Sequence, residues 1–161
     1  MTRLLIVYHS RTGGSRQMAQ AAHDAARGEI ETLMLRADLA GPDDLLAAAG
    51  YIFCGPENLA ALSGEMKEFF DRCYYPVLGR IEGRAYAQMI CAGSDGANAA
   101  RQLARIATGW RLKPVQEPLI LCTHAQTPEA ILAEKTIPEP ELAQCRDLGL
   151  AMAMGLGMGV F

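Results

Sequence analysis

The chain of 161 residues has no basic excess. Its 15 Lys and Arg are outnumbered by 18 Asp and Glu, for a formal net charge of −3. That balance argues against a nucleic-acid partner, which calls for a basic face. No uninterrupted run of about 18 apolar residues occurs, so no membrane span is expected. The five cysteines are odd in number and form no CxxC pair. This excludes a disulfide framework and points to a reducing, cytoplasmic setting. Met1-Thr2-Arg3 leads directly into apolar residues, so no signal peptide is expected. Internal repeats, low-complexity tracts and interdomain linkers are also missing, and a single domain over 1–161 is the expectation.

What is present is an alternation of apolar runs and helical patterns. Leu4–Tyr8 reads as a strand covered on both faces. Ser15–Arg27 reads as a helix with Met18, Ala22 and Ala25 on one side. Ile30–Leu35 is a second strand, and Pro42-Asp43-Asp44 starts a short helix, with proline in the first turn and acids at the positive dipole end. Tyr51–Cys54 is a third strand, expected to close at Gly55-Pro56. Ser63–Tyr74 is amphipathic, with Met66, Phe69, Phe70 and Cys73 opposite Glu65, Lys67, Glu68, Asp71 and Arg72. Ala85–Cys91 is a fourth strand, Ala97–Thr108 a helix stopped by Gly109, and Pro118–Cys122 a fifth strand. Thr123–Pro138 reads as a long loop with one helical turn at Glu129–Ala133, and a last helix runs from Glu139 to about Gly155.

Five strands alternating with helices predict a three-layer α/β sandwich around a parallel sheet, of order 2-1-3-4-5. Ligands of such sheets bind beyond the carboxyl ends of the strands, where the strand order reverses. Three loops would converge there: Ser10–Ser15, Pro56–Leu59 and Ala92–Asn98.

The first of these is the most informative. Within LLIVYHSRTGGSRQMAQAA, Ser10, Thr12 and Ser15 offer hydroxyls, while Gly13 and Gly14 let a ligand approach the backbone. The helix that follows aims its free N–H groups and positive dipole end at the same point. A P-loop is excluded because GxxxxGK[ST] is absent, and a Rossmann NAD site because GxGxxG is absent. Ser10-x5-Arg16 has the spacing of a low-molecular-weight tyrosine phosphatase but not its thiolate. The strand ends Tyr8-His9-Ser10 and Cys54-Gly55 lack the acids of a phosphoryl receiver. A loop of hydroxyls and N–H groups, with no metal, suits a terminal phosphate monoester. The bland alternative is a tight turn whose hydroxyls cap the helix.

SRTGGS resembles the FMN phosphate loop of the flavodoxin-like superfamily, [ST]-x-T-G-x-[ST]. FCGPENLAALSGEMKEFFDR (Phe53–Arg72) is similar to a segment of NAD(P)H-dependent FMN reductases and of tryptophan-repressor-binding-protein-like quinone reductases, and ICAGSDGAN (Ile90–Asn98) sits at their third flavin loop. The resemblance covers roughly residues 3 to 110. It implies that Ser10, Arg11, Thr12, Gly13, Gly14 and Ser15 hold the FMN phosphate. Pro56, Glu57, Asn58 and Leu59 would line the isoalloxazine and ribityl edge, with Gly93, Ser94, Asp95 and Gly96 on the other side. The family's tyrosine in the second loop aligns with Asn58, which removes an aromatic lid and leaves one flavin face open to a substrate.

The activity implied is transfer of electrons from NAD(P)H through flavin to a quinone, a flavin or another small acceptor. The alternatives are a flavodoxin-type carrier and a flavin-free regulatory domain. A carrier would be expected to show a strongly acidic face and aromatic clamps, against which −3 and Asn58 both speak. No catalytic residue is assigned. Cys54, Cys91 and Cys122 are read as small apolar strand-end residues, His124 as a loop residue near the ligand edge, and Arg11 as a contact either to the ligand's phosphate or to the 2′-phosphate of NADPH. The apolar tail AMAMGLGMGVF is expected to bury itself against the sheet or in a second copy, making a homodimer.

Overall fold

The computed structural model describes residues 2–161. The elements in chain order are β1 (Arg3–Tyr8), α1 (Gly14–Ala26), β2 (Glu31–Arg36), α2 (Pro42–Ala47), β3 (Gly50–Asn58), β4 (Ala61–Leu62), α3 (Gly64–Val77), β5 (Ala85–Ala92), α4 (Ala97–Gly109), β6 (Lys113–Pro114), β7 (Leu119–Cys122), α5 (Pro128–Leu132) and α6 (Glu139–Gly157). The sheet runs β2-β1-β3-β5 with all neighbours parallel, and β6 and β7 share the outer edge of β5. Counting β7 as the fifth major strand, this is the expected 2-1-3-4-5 order.

The period-2 geometry of the strands sorts their side chains between two cores. Leu5 and Val7 of β1 and Tyr51 and Phe53 of β3 face α3 and α4. Leu4, Ile6, Ile52 and Cys54 face α1 and α6. On the first side Phe53 is central: its ring stacks on Tyr51 at 5.8 Å and meets Phe70 and Trp110 edge-on at 5.1 and 6.4 Å. Trp110, read from sequence as an anchor for the last crossover, is buried in that cluster.

On the other side α1 and α6 pack backbone to backbone. A Cβ on Gly149 would lie 2.3 Å from the Ala22 carbonyl oxygen and 2.7 Å from its Cα. The tail after α6 turns back on its own chain. Val160 N–H donates to the Gly155 carbonyl at 2.9 Å, and the Phe161 ring lies where a Gly155 Cβ would stand. Met154, Met158 and Val160 stay exposed.

One strand end and one added strand differ from the sequence expectation. The third strand does not close at Gly55-Pro56 but continues to Asn58, pairing Gly55 with Ile90 and Pro56 with Cys91. Proline is tolerated because β1 has already ended: the Cys54 carbonyl, pointing the same way as the Pro56 nitrogen, accepts from His9 N–H at 3.1 Å, and beyond it no strand needs a donor. Gly55 is there for space, since a Cβ would come within 2.8 Å of Met66 Cγ. The expected fifth strand, Pro118–Cys122, is realised as β7, but the short β6, which was not expected, lies ahead of it on the same edge of β5, with Pro114 and Pro118 flanking the gap. Only an edge accepts such a gap, because the missing donors face solvent.

Candidate functional site

The three loops do converge, on a cleft of about 210 Å³ at the carboxyl end of the sheet. Ser10, Arg11, Thr12, Gly14, Ser15, Pro56, Glu57, Asn58 and Gly93 of the sequence-derived set line it. Gly13 lines a larger neighbouring cleft with His9, Arg16 and Arg36.

The loop after β1 is braced by contacts of its own. Gly13 takes φ +93°, a left-handed value that glycine adopts without strain, and its N–H donates to Ser10 Oγ at 3.0 Å. Gly14 lies against β5, where a Cβ would meet Cys91 Sγ at 2.6 Å. The Cys54 thiol donates to the Ser15 carbonyl at 3.3 Å and pins the first turn of α1. Ser15 itself is buried, and its hydroxyl has no hydrogen-bond partner. An orphaned buried hydroxyl costs about 1–3 kcal/mol. It sits at the N-terminus of a 13-residue helix with no acidic residue in its first turn.

The second and third loops are tied to each other. Glu57 Oε2 accepts from Gly96 N–H at 2.6 Å, closing the start of α4. Asn98 Nδ2 donates to the Ala60 carbonyl at 2.6 Å, and Gln102 Oε1 accepts from Leu62 N–H at 2.8 Å. These bonds hold the β3–β4 hairpin, whose turn residues Leu59 and Ala60 take φ +50° and +63°. Left-handed backbone at two residues with side chains is strained and typical of a constrained site. Asn58 Nδ2 is buried beside the cleft without a partner.

Not every expected residue lines the cleft. Leu59 stands fully exposed at the hairpin tip. Ser94 and Asp95 are exposed beside the opening, and Gly96 packs behind it against Ile120 and Ala92. Arg11 turns to Glu65, 3.3 Å away, and Arg16 approaches Glu134 at 3.9 Å. His124 is exposed and donates only its backbone N–H to the Gly93 carbonyl, at 2.8 Å. His9 Nδ1 meets Ser63 Oγ at 2.8 Å, and burial lowers its pKa, holding the ring neutral.

In the segment after β7, sequence reasoning placed only His124 near the ligand edge and missed the residues that line the cleft. Thr123, Ala125, Ile131, Leu132 and Lys135 all line the cleft. The segment is strapped down by the Gln17 amide, which donates to the Lys135 carbonyl at 2.6 Å and accepts from Ile137 N–H at 2.9 Å. Ile131 and Leu132 are exposed apolar side chains at the mouth. The one available signal was the helical turn expected at 129–133, realised as α5, which puts two large apolar residues in a polar loop. Burial raises the Cys91 thiol to about 11 and the Cys145 thiol to about 12, so neither forms a thiolate near neutral pH. Among the described residues no group of three or more His, Cys, Asp or Glu side chains could hold a metal ion, and no helix is long and apolar enough to cross a membrane.

A flavodoxin from an archaeon superposes on 96% of this chain and 99% of its own, with a TM-score of 0.78 at 16% identity. The fold is flavodoxin-like. No family model matches the chain. It is 31% identical over 98 residues to a protein named flavodoxin from Aquifex aeolicus, covering 60% of this chain and 53% of that protein. It is 33% identical over 94 residues to an NAD(P)H dehydrogenase (quinone) from Acidithiobacillus ferrooxidans, covering 45% and 47%. The chain thus spans about half the length of the curated relatives it matches. In this flavodoxin-like sheet the cleft occupies the crevice between β1 and β3, where the strand order reverses.

Proposed function

We propose that this protein is a flavoprotein that binds FMN in the cleft and passes electrons from NAD(P)H to a small acceptor such as a quinone or a flavin. The Ser15 hydroxyl carries the reading. It is buried, unpartnered and placed at a helix N-terminus among Ser10, Thr12 and free loop N–H groups, which is what a phosphate monoester requires. Asn58 Nδ2, the second orphaned group, offers a donor to the polar edge of the flavin ring. Ile131 and Leu132 give apolar cover at the mouth.

Bound FMN supplies reversible two-electron chemistry. The protein's part is to anchor the phosphate, to present Asn58 and the loop backbone to the ring, and to leave the side next to Asn58 without an aromatic lid. No general acid or base is needed from the chain, consistent with a neutral His9 and protonated cysteines. The quinone dehydrogenase relative supports this reading. A second reading, an electron carrier that NAD(P)H does not reduce, is supported by the flavodoxin relative.

Titration of the apoprotein with FMN, followed by flavin fluorescence, is expected to show saturable quenching. Ser15→Ala should weaken FMN about tenfold. Without FMN its stability should equal or slightly exceed the parent's, because an unsatisfied hydroxyl is removed. Absence of binding at saturating FMN overturns the proposal. Anaerobic addition of NADPH or NADH then separates the two readings: bleaching supports the reductase, and flavin left oxidised by both supports the carrier.

The proposal includes a homodimer formed through the exposed Met154, Met158 and Val160. Light scattering at micromolar protein should give twice the chain mass, and a monomeric mass overturns it.

A further inference from the structure

We infer that Lys135 is the counter-charge for the ligand's phosphate, so that this cleft selects a dianionic phosphate ester over an uncharged ligand and phosphate binding fastens the strap to the loop. The inference rests on the flavin-phosphate reading above. A phosphate monoester carries about −1.5 to −2 at neutral pH. The N-terminus of α1 offers roughly half a positive charge, and hydroxyls offer none. The nearby guanidinium groups are engaged elsewhere: Arg11 with Glu65, Arg16 with Glu134 and Arg36 with Asp38.

Lys135 is different. Its backbone N–H donates to the Thr12 carbonyl at 2.7 Å. Its ammonium donates to Thr12 Oγ1 at 3.3 Å and to the carbonyls of Ile131 and Ala133 at 2.8 and 2.5 Å. All these acceptors are neutral, and among the described residues no carboxylate forms an ion pair with it. An uncompensated, half-buried cation therefore borders the same cleft as the orphaned Ser15 hydroxyl. Glu134, the neighbouring acid, is largely exposed and faces Arg16.

The strap that delivers Lys135 has little other anchorage. Between Thr123 and Pro138 only Ile137 is buried; Thr123 and His124 bond to the Ala92 and Gly93 carbonyls at the strand end, and beyond them the side-chain and backbone ties to the rest of the fold are the Gln17 amide, the Thr12 contacts and the exposed Arg16–Glu134 pair. Segments held by few buried apolar contacts open at low free-energy cost. A phosphate shared by the loop and the Lys135 ammonium would add a charge-assisted bond across that seam.

The test compares FMN with riboflavin, which lacks the phosphate, on the parent protein, Lys135→Met and Lys135→Arg. Lys135→Met is expected to weaken FMN about tenfold, to leave riboflavin within twofold, and to reduce the salt dependence of FMN binding. Lys135→Arg should restore most of the FMN affinity. In the apoprotein, millimolar inorganic phosphate should slow amide hydrogen exchange over 126–136 in the parent and not in Lys135→Met. Equal losses for FMN and riboflavin would reduce Lys135 to a structural strap residue, and an unchanged FMN affinity would also overturn the inference. If the parent bound neither flavin yet phosphate still protected the strap through Lys135, the flavin reading would fall and the phosphate contact would stand.

Discussion

Gly149→Ala should destabilise the protein by about 3 kcal/mol, and Gly149→Val should leave it largely unfolded at room temperature. Helix propensity predicts the opposite sign, because glycine inside a helix costs about 1 kcal/mol relative to alanine. Packing overrules it. A Cβ at 149 meets the backbone of Ala22 at 2.3–2.8 Å, and no flexible side chain is available to move aside. Relief requires α6 to lift away from α1, opening the core formed by Met18, Ala19, Ala22, Met152 and Ala153. Stabilities of small domains are about 5–15 kcal/mol, so the change is a large share of the total. Urea unfolding checks it, with Gly64→Ala as the control: a Cβ there meets nothing within 4 Å, so its midpoint should hold or rise. A Gly149→Ala protein more stable than its parent would show that the two helices do not touch at this point.

The second large effect concerns the loop after β1, proposed above to hold the phosphate. Gly14→Ala should lower FMN affinity at least thirtyfold and cost about 1–3 kcal/mol of stability. The new Cβ would stand 2.6 Å from Cys91 Sγ and 3.6 Å from Ile137 Cδ1, so the loop must rise off the end of β5. The sulfur makes the clash, which gives the prediction a partner. Cys91→Ala alone should be mild, and the Gly14→Ala/Cys91→Ala pair should recover most of the binding and stability. The two sites touch, so strong non-additivity is expected. FMN titration and urea unfolding of the four proteins measure it. Equal losses with and without Cys91 would place the effect in the loop backbone instead.

Both predictions turn on glycines whose partners, Ala22 and Cys91, are invisible along the chain. In sequence the Gly13-Gly14 pair reads as giving a ligand access to the backbone. In space the first supplies a left-handed turn and the second a close approach to β5. Gly55 reads as a stop beside proline, yet the strand runs through it because its neighbour β1 has already ended. Lys135 had no local mark at all. It lies 123 residues from Thr12 and reaches it because Gln17 and the turn of α5 hold the strap in place.

By itself the sequence determined the alternation of strands and helices, the parallel order of the sheet and the position of the hydroxyl- and glycine-rich loop after β1. These depend on periodicity, on caps and on six consecutive residues, all of which act over short chain distances. Only the tertiary structure decided which glycines sit against a neighbour, which loop residues face the cleft and which cation borders it. Those properties are set by separations of a few ångströms between residues far apart in the chain, and such distances exist only once the two cores have packed.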